Sequence, residues 1–182
     1  MPPIQAAAAM PRPRALLLLQ ALALSLVLAL SAKASVPFWP VPMTLQTLAV
    51  LTMGALLGPR LAVAAFAVYL AEGAAGLAVF SGTPERGIGL AYMMGPTGGY
   101  LAGMALAAAI AGWAGQHLAG RLVPAALAML AATAAVYACG AAWLAHFVGW
   151  PHVWALGVRP FLAGDAVKGA IVAGLIALRR RA

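Results

Sequence analysis

Six long apolar runs recur along this chain of 182 residues, and they leave it one environment to fold in. A helix that crosses a bilayer needs about 20 mostly apolar residues, within a range of roughly 17–25. The runs extend from Ala15 to Ala32, Met43 to Leu57, Leu61 to Val79, Thr97 to Ala114, Leu122 to Val148 and Pro160 to Leu178, the second being short for a crossing. Hydrophobic residues make up 65% of the chain and charged residues 8%, where a soluble domain carries about 25% charged. So apolar a chain cannot cover itself with a water-compatible surface, and it is far too hydrophobic to stay disordered. The expectation is an all-α, polytopic membrane protein: a six-transmembrane-helix bundle forming one integral membrane domain over residues 1–182.

Turn chemistry separates the runs. Gly58-Pro59-Arg60 divides the second from the third, Ser81 to Gly89 is polar and glycine-rich and holds Glu85 and Arg86, and Gly149-Trp150-Pro151-His152 divides the fifth from the sixth. Arg159-Pro160 opens the last run, with proline where a helix tolerates it best.

Basic residues number 11 against 3 acidic ones, a net charge of +8. A nucleic-acid binder gathers its basic groups in one patch. Here they stand singly between the runs or at the ends, so no nucleic-acid partner is expected. With six crossings, Arg12, Arg14, Arg60, Arg121, Arg179, Arg180 and Arg181 share one side, and Lys33, Arg86 and Arg159 the other. Loops on the cytoplasmic side carry the excess of Lys and Arg, which places both termini there. The alternative reading takes the segment up to Ser35 as a cleaved secretory signal, although its apolar stretch exceeds the about 7–15 residues of a signal core.

Lipid provides no hydrophobic push between helices, so close contact of small side chains must hold them together. Ala21, Ser25 and Ala29 recur at every fourth residue of the first run, and Gly95, Gly99 and Gly103 repeat the device at the fourth. Such stripes serve packing within one bundle, or docking of another membrane protein.

Asp165 and Lys168 interrupt the last run. A charge at the bilayer centre costs about 2.5–3.5 kcal/mol on insertion scales, so such residues face a partner or a cavity. Their spacing of three places them on one helical face, in the outer half of the crossing. They form a salt bridge with each other, or they line a pocket that takes a small ligand with an N–H donor at one end and a carboxylate at the other. Glu72, in the third run, pairs with Lys168, lines the cavity or faces lipid.

The outer loops supply further candidates. Val36 to Gln46 reads VPFWPVPMTLQ, an extended stretch with flat apolar faces at Phe38 and Trp39 and hydrogen-bonding groups at Thr44 and Gln46. It suits either an interfacial aromatic anchor or a lid over an outward pocket. Gly95 to Tyr100 reads GPTGGY, where free N–H groups at a helix start can meet a polar ligand. His117, His146 and His152 stand apart near the ends of runs, and the single Cys139 rules out an internal disulfide. No HExxH, GxSxG or Walker A segment occurs. No enzymatic activity is expected, and ATP-driven transport would need its engine from another subunit.

Five segments together, VPMTLQT (Val41 to Thr47), GALLGPRL (Gly54 to Leu61), AAGLAVF (Ala74 to Phe80), GPTGGYLAG (Gly95 to Gly103) and RPFLAGDAVKGA (Arg159 to Ala170), resemble the BioY family. These are the biotin-specific substrate-binding S components of energy-coupling factor (ECF) transporters. The resemblance covers roughly Val36 to Leu178. It implies a six-helix bundle in the bacterial cytoplasmic membrane that binds biotin near the outer face beneath the first loop. It also implies a transmembrane coupling subunit and ATPase subunits as partners, with homo-oligomers and lipid as further contacts, and no cofactor. The family's docking stripe on the first helix falls on Ala21, Ser25 and Ala29, and its final-helix Asp and Lys on Asp165 and Lys168. Biotin's ureido N–H groups suit Asp165, and Lys168 meets the carboxylate or orients Asp165. Gln46, Thr44 or Thr97 meets the remaining polar atoms, and Phe38, Trp39, Tyr92 and Tyr100 wall the bicycle. Ser81 to Gly89 departs from the family pattern, which leaves Ser81 and Thr83 weakly assigned. Competing functions are a binding subunit for another carboxylate-bearing vitamin, an intramembrane hydrolase built on Ser81 and a histidine, and a scaffold without transport.

Overall fold

The computed structural model describes residues 14–37, 39–82 and 87–179. Six longer helices carry the architecture: α1 (Arg14–Lys33), α2 (Gln46–Leu57), α3 (Pro59–Ala74), α5 (Gly98–His117), α6 (Leu122–Val148) and α8 (Leu162–Leu178). Two short ones, α4 (Leu90–Met94) and α7 (Trp150–Val153), lie between them. Lipid cannot satisfy backbone N–H and C=O groups, so apolar runs of this kind close their hydrogen bonds internally as helices. α1, α5 and α6 are each long and apolar enough to cross a membrane, while α7, a π-helical turn at Trp154–Val158 and α8 pass as one span bent by 51°.

Three helix boundaries differ from the apolar runs, each for a local reason. The second run begins at Met43, but Met43–Thr44 is a short strand, β2, paired antiparallel with β1 (Ser35–Val36) so that Ser35 faces Thr44 and Val36 faces Met43. Pro40 and Pro42 lack the N–H a helix or ladder would use, so the helix waits until Gln46. α2 is then 12 residues, about 18 Å long. The third run continues to Val79, but α3 ends at Ala74. There Gly76 takes a positive φ of 92°, the Leu77 N–H donates to the Glu72 carbonyl at 3.1 Å and the Gly76 N–H to the Gly73 carbonyl at 3.0 Å. This pair of bonds is the Schellman stop signal. In the last run Pro160 sits in the turn before α8 rather than at its first position, because the π-helical turn, closed by the Arg159 N–H on the Trp154 carbonyl at 2.9 Å, intervenes.

α2 is enclosed by α3, α5 and α8, and α5 packs along α6. Small residues permit that closeness: a Cβ on Gly103 would lie 2.6 Å from Val136 Cα. Phe66, Tyr69, Leu51 and Ile176 fill the interior. α1 lies at the edge against α3 and leaves Leu19, Leu26 and Leu30 exposed, as suits a lipid-facing helix. Where α2, α5 and α8 finish, the Arg179 guanidinium donates to the Ala55 carbonyl and to the Gly115 carbonyl. A cation at the last carbonyls of a helix is favoured by its dipole.

Candidate functional site

The start of α8 brings Asp165 into its first turn and Lys168 onto the same face one turn on. Both are buried, at 8% exposure each, and they are bonded, Lys168 Nζ donating to Asp165 Oδ1 at 2.8 Å. The ammonium also donates to the Thr44 backbone carbonyl at 2.8 Å. The second carboxylate oxygen, Oδ2, accepts the Tyr137 hydroxyl of α6 at 2.7 Å. One chain of charge-assisted bonds therefore ties β2, α8 and α6 together, and such bonds are roughly twice as strong as neutral ones. A buried carboxylate is tolerable only with partners of this kind.

The cluster borders an internal cavity. Gln46 and Thr47 from the start of α2, Thr97 and Tyr100 from the start of α5, and the Val41–Thr44 segment complete most of its lining. The Tyr100 hydroxyl donates to the Gly157 carbonyl at 2.7 Å, so the π-helical turn fixes that ring. The Thr44 hydroxyl accepts the Gln46 N–H at 3.2 Å, anchoring α2 where it enters the site. The cavity holds about 40 Å³. Val41 to Thr44 forms one side of it, with the Thr44 carbonyl held by Lys168. Tyr137 and Asp165 also border an apolar groove of about 370 Å³ between α6 and α8, so their hydrogen bond forms part of the wall between cavity and groove.

Of the residues singled out by sequence, Asp165, Lys168, Gln46, Thr44, Thr97 and Tyr100 meet at this cavity, with Ser81. The other candidates are placed elsewhere. Trp39 is 72% exposed and walls nothing. Tyr92 is buried, but its ring stacks on Phe80 at 5.0 Å, and it reaches the cavity only through Ser81, whose hydroxyl pairs with its own at 2.8 Å. Glu72 leaves the site altogether and accepts the Ser25 hydroxyl at 2.9 Å, linking α3 to α1. Ala21 and Ser25 are fully buried inside the chain, Ala29 half-buried, so within the chain the stripe packs α1 against its neighbours, Ser25 being bonded to α3. Phe38, Thr83, Glu85 and Arg86 lie outside the described residues. Ser81 pairs with a tyrosine, not a histidine, which removes the basis for a hydrolase. His117 and His146 bond carbonyls of their own helices, and His152 on α7 bonds the Val148 carbonyl that ends α6, all on the exposed surface.

Tyr137 went unnoticed in the sequence. Its one signal was a phenol in the middle of an apolar run, where a hydroxyl needs a partner. A double-mutant cycle of Tyr137→Phe with Asp165→Asn is expected to return a coupling of about 1 kcal/mol in thermal unfolding, within the range of hydrogen bonds inside membrane proteins. Strict additivity of the two changes contradicts the bond.

A family model described as the BioY family matches residues 7–182. A relative from Pyrococcus horikoshii named "Probable biotin transporter BioY" is 40% identical over 139 residues, spanning 76% of this chain and 80% of its own length. "Biotin transporter BioY" of Thermotoga maritima is 34% identical over 153 residues, spanning 80% of this chain and 83% of its own. A crystal structure of the S-component for biotin from an ECF-type ABC transporter superposes with a TM-score of 0.76 at 23% identity, covering 93% of each chain. These relatives are named as transporters and not as enzymes, and the solved structure shares this all-helical membrane-protein fold. By the extent of the match and the identity to its relatives, the chain belongs to the BioY family.

Proposed function

We propose that this chain is the biotin-binding transmembrane subunit of an uptake system, a single six-span domain of the bacterial cytoplasmic membrane with both termini in the cytoplasm. The observation that carries the reading is the buried Asp165–Lys168 pair at the edge of the cavity. Biotin's ureido ring offers two N–H donors and a carbonyl, and its valerate tail ends in a carboxylate. Asp165 has acceptor capacity for the N–H groups. Lys168 is charge-matched to the carboxylate, or holds Asp165 in place.

Pockets for such ligands usually measure about 300–1,000 Å³, far more than the 40 Å³ present here. Binding therefore displaces the Val41–Thr44 segment outward, and Lys168 exchanges the Thr44 carbonyl for the ligand. That exchange replaces one hydrogen bond with another, so opening costs little in unpaired polar groups. The likeness to an S-component from an ECF-type ABC transporter supports a coupling protein with its ATPases as the source of energy.

Uptake of labelled biotin by cells expressing the chain, with two competitors, tests this reading. Desthiobiotin keeps both the ureido group and the carboxylate and is expected to compete. Lipoate keeps only a carboxylate tail and is expected not to. Equal competition by lipoate points to another carboxylate-bearing vitamin, and no uptake with any coupling module points to a scaffold.

A further inference from the structure

We propose that the Gln46 side-chain amide reads the ureido oxygen of the ligand and makes the site select a urea over a guanidine. The inference rests on the biotin reading above and adds to it the group that sets specificity. Gln46 is only 3% exposed and lines the cavity, yet its Nε2 donor has no hydrogen-bond partner. The Tyr69 hydroxyl, which itself donates to the Val79 carbonyl at 3.5 Å, is its neighbour, and since Nε2 carries two N–H groups Tyr69 can take only one of them. A buried donor left unpaired is costly, and a persistent one marks a place where something else is meant to bind.

Most of the other side-chain donors around the cavity are already engaged, Lys168 by two of its three N–H groups. Lys168 donates to Asp165 and Thr44, Tyr137 to Asp165, and Tyr100 to Gly157. The Thr47 and Thr97 hydroxyls both donate and accept, so they express no preference. Gln46 therefore supplies an uncommitted N–H. It stands at the first turn of α2, its backbone carried by that helix. A cyclic urea presents N–H groups beside a carbonyl oxygen. Asp165 as acceptor and Gln46 as donor form the complementary set.

The probe is 2-iminobiotin, in which an N–H group replaces the ureido oxygen and the ring becomes a cyclic guanidinium. In the wild-type protein its extra N–H meets the Gln46 donor head-on. A site built to hydrogen-bond a group rejects analogues that cannot answer it. Gln46→Glu keeps the shape and turns the donor into an anionic acceptor. It is expected to lower biotin affinity about tenfold or more and to raise 2-iminobiotin affinity, moving the ratio of the two about a hundredfold. Gln46→Leu removes the donor and is expected to lower biotin affinity about tenfold without lowering that of 2-iminobiotin.

Equilibrium binding of both ligands to the purified full chain gives the ratios. If wild-type protein binds biotin and neither variant changes the ratio, the role of Gln46 is overturned. Failure of the wild-type protein to bind biotin instead overturns the underlying reading.

Discussion

Asp165→Asn is expected to weaken biotin binding about a hundredfold. Hydrogen bonds to an ionised group contribute about 1.5–3 kcal/mol each, and every 1.4 kcal/mol is about tenfold in Kd. The amide also points N–H groups where the ligand's donors would approach. The change has a second consequence, because Lys168 loses its anionic partner and keeps only the Thr44 carbonyl. Breaking one side of a buried ion pair typically costs about 3–5 kcal/mol, so reduced stability could masquerade as lost binding. The double variant Asp165→Asn/Lys168→Met separates the two effects. Neutral on both sides, it is expected to regain much of the lost stability and none of the affinity. A double variant that binds biotin as well as the wild type reduces the pair to a structural salt bridge.

The second large effect concerns folding. Gly115, on α5, lies directly against the Ala55 backbone of α2, so that a Cβ placed there would overlap the Ala55 carbonyl. The obstacle is backbone on a neighbouring helix and has no flexible end to swing aside. The same carbonyl receives the Arg179 guanidinium, so displacing it also disturbs the fastening of α8. Overpacking costs about 1–3 kcal/mol and occasionally more, and Gly115→Ala is expected at the upper end. At about 2–4 °C per kcal/mol for a chain of this size, the unfolding midpoint in detergent falls by roughly 6–12 °C. Gly174→Ala is the control. On α8 an added Cβ meets nothing within 4 Å, and alanine is the better helix former by about 0.5–1 kcal/mol. Its midpoint is expected to stay level or rise. Equal losses at both glycines contradict the close approach of α5 to α2.

These two regions differ in how far the sequence revealed them. Asp165 and Lys168 were conspicuous because charges rarely interrupt an apolar run, and the physics of their cost points to a cavity or a partner. Both alternatives hold at once, since the pair is bonded and also borders the cavity. The runs at α1, α5 and α6 match their helices closely, because apolar length is itself the requirement for crossing. Tyr137 was hidden, since a phenol in an apolar run looks like ordinary core until its hydroxyl is seen on Asp165.

Small-residue periodicity was ambiguous in principle. It shows that something approaches closely at Ala21 and Ser25, but not whether that is α3 or another protein. Trp39 and Tyr92 show the same limit for aromatics, which serve anchors, cores and pockets with one chemistry. The β1–β2 pairing was not visible either. Two-residue strands carry too few positions for an alternating pattern, and their register depends on contact across a loop. The π-helical turn at Trp154–Val158, whose Gly157 carbonyl accepts the Tyr100 hydroxyl across the bundle, likewise has no local pattern that encodes it.

Calorimetric titration of biotin into the purified, folded wild-type protein bears most directly on the whole interpretation. One molecule bound per chain, with the heat abolished or strongly reduced in Asp165→Asn, is the expected outcome. A folded, monodisperse wild-type sample that takes up no biotin, or an Asp165→Asn variant that binds it undiminished, contradicts a ligand held by the buried carboxylate and ammonium of α8.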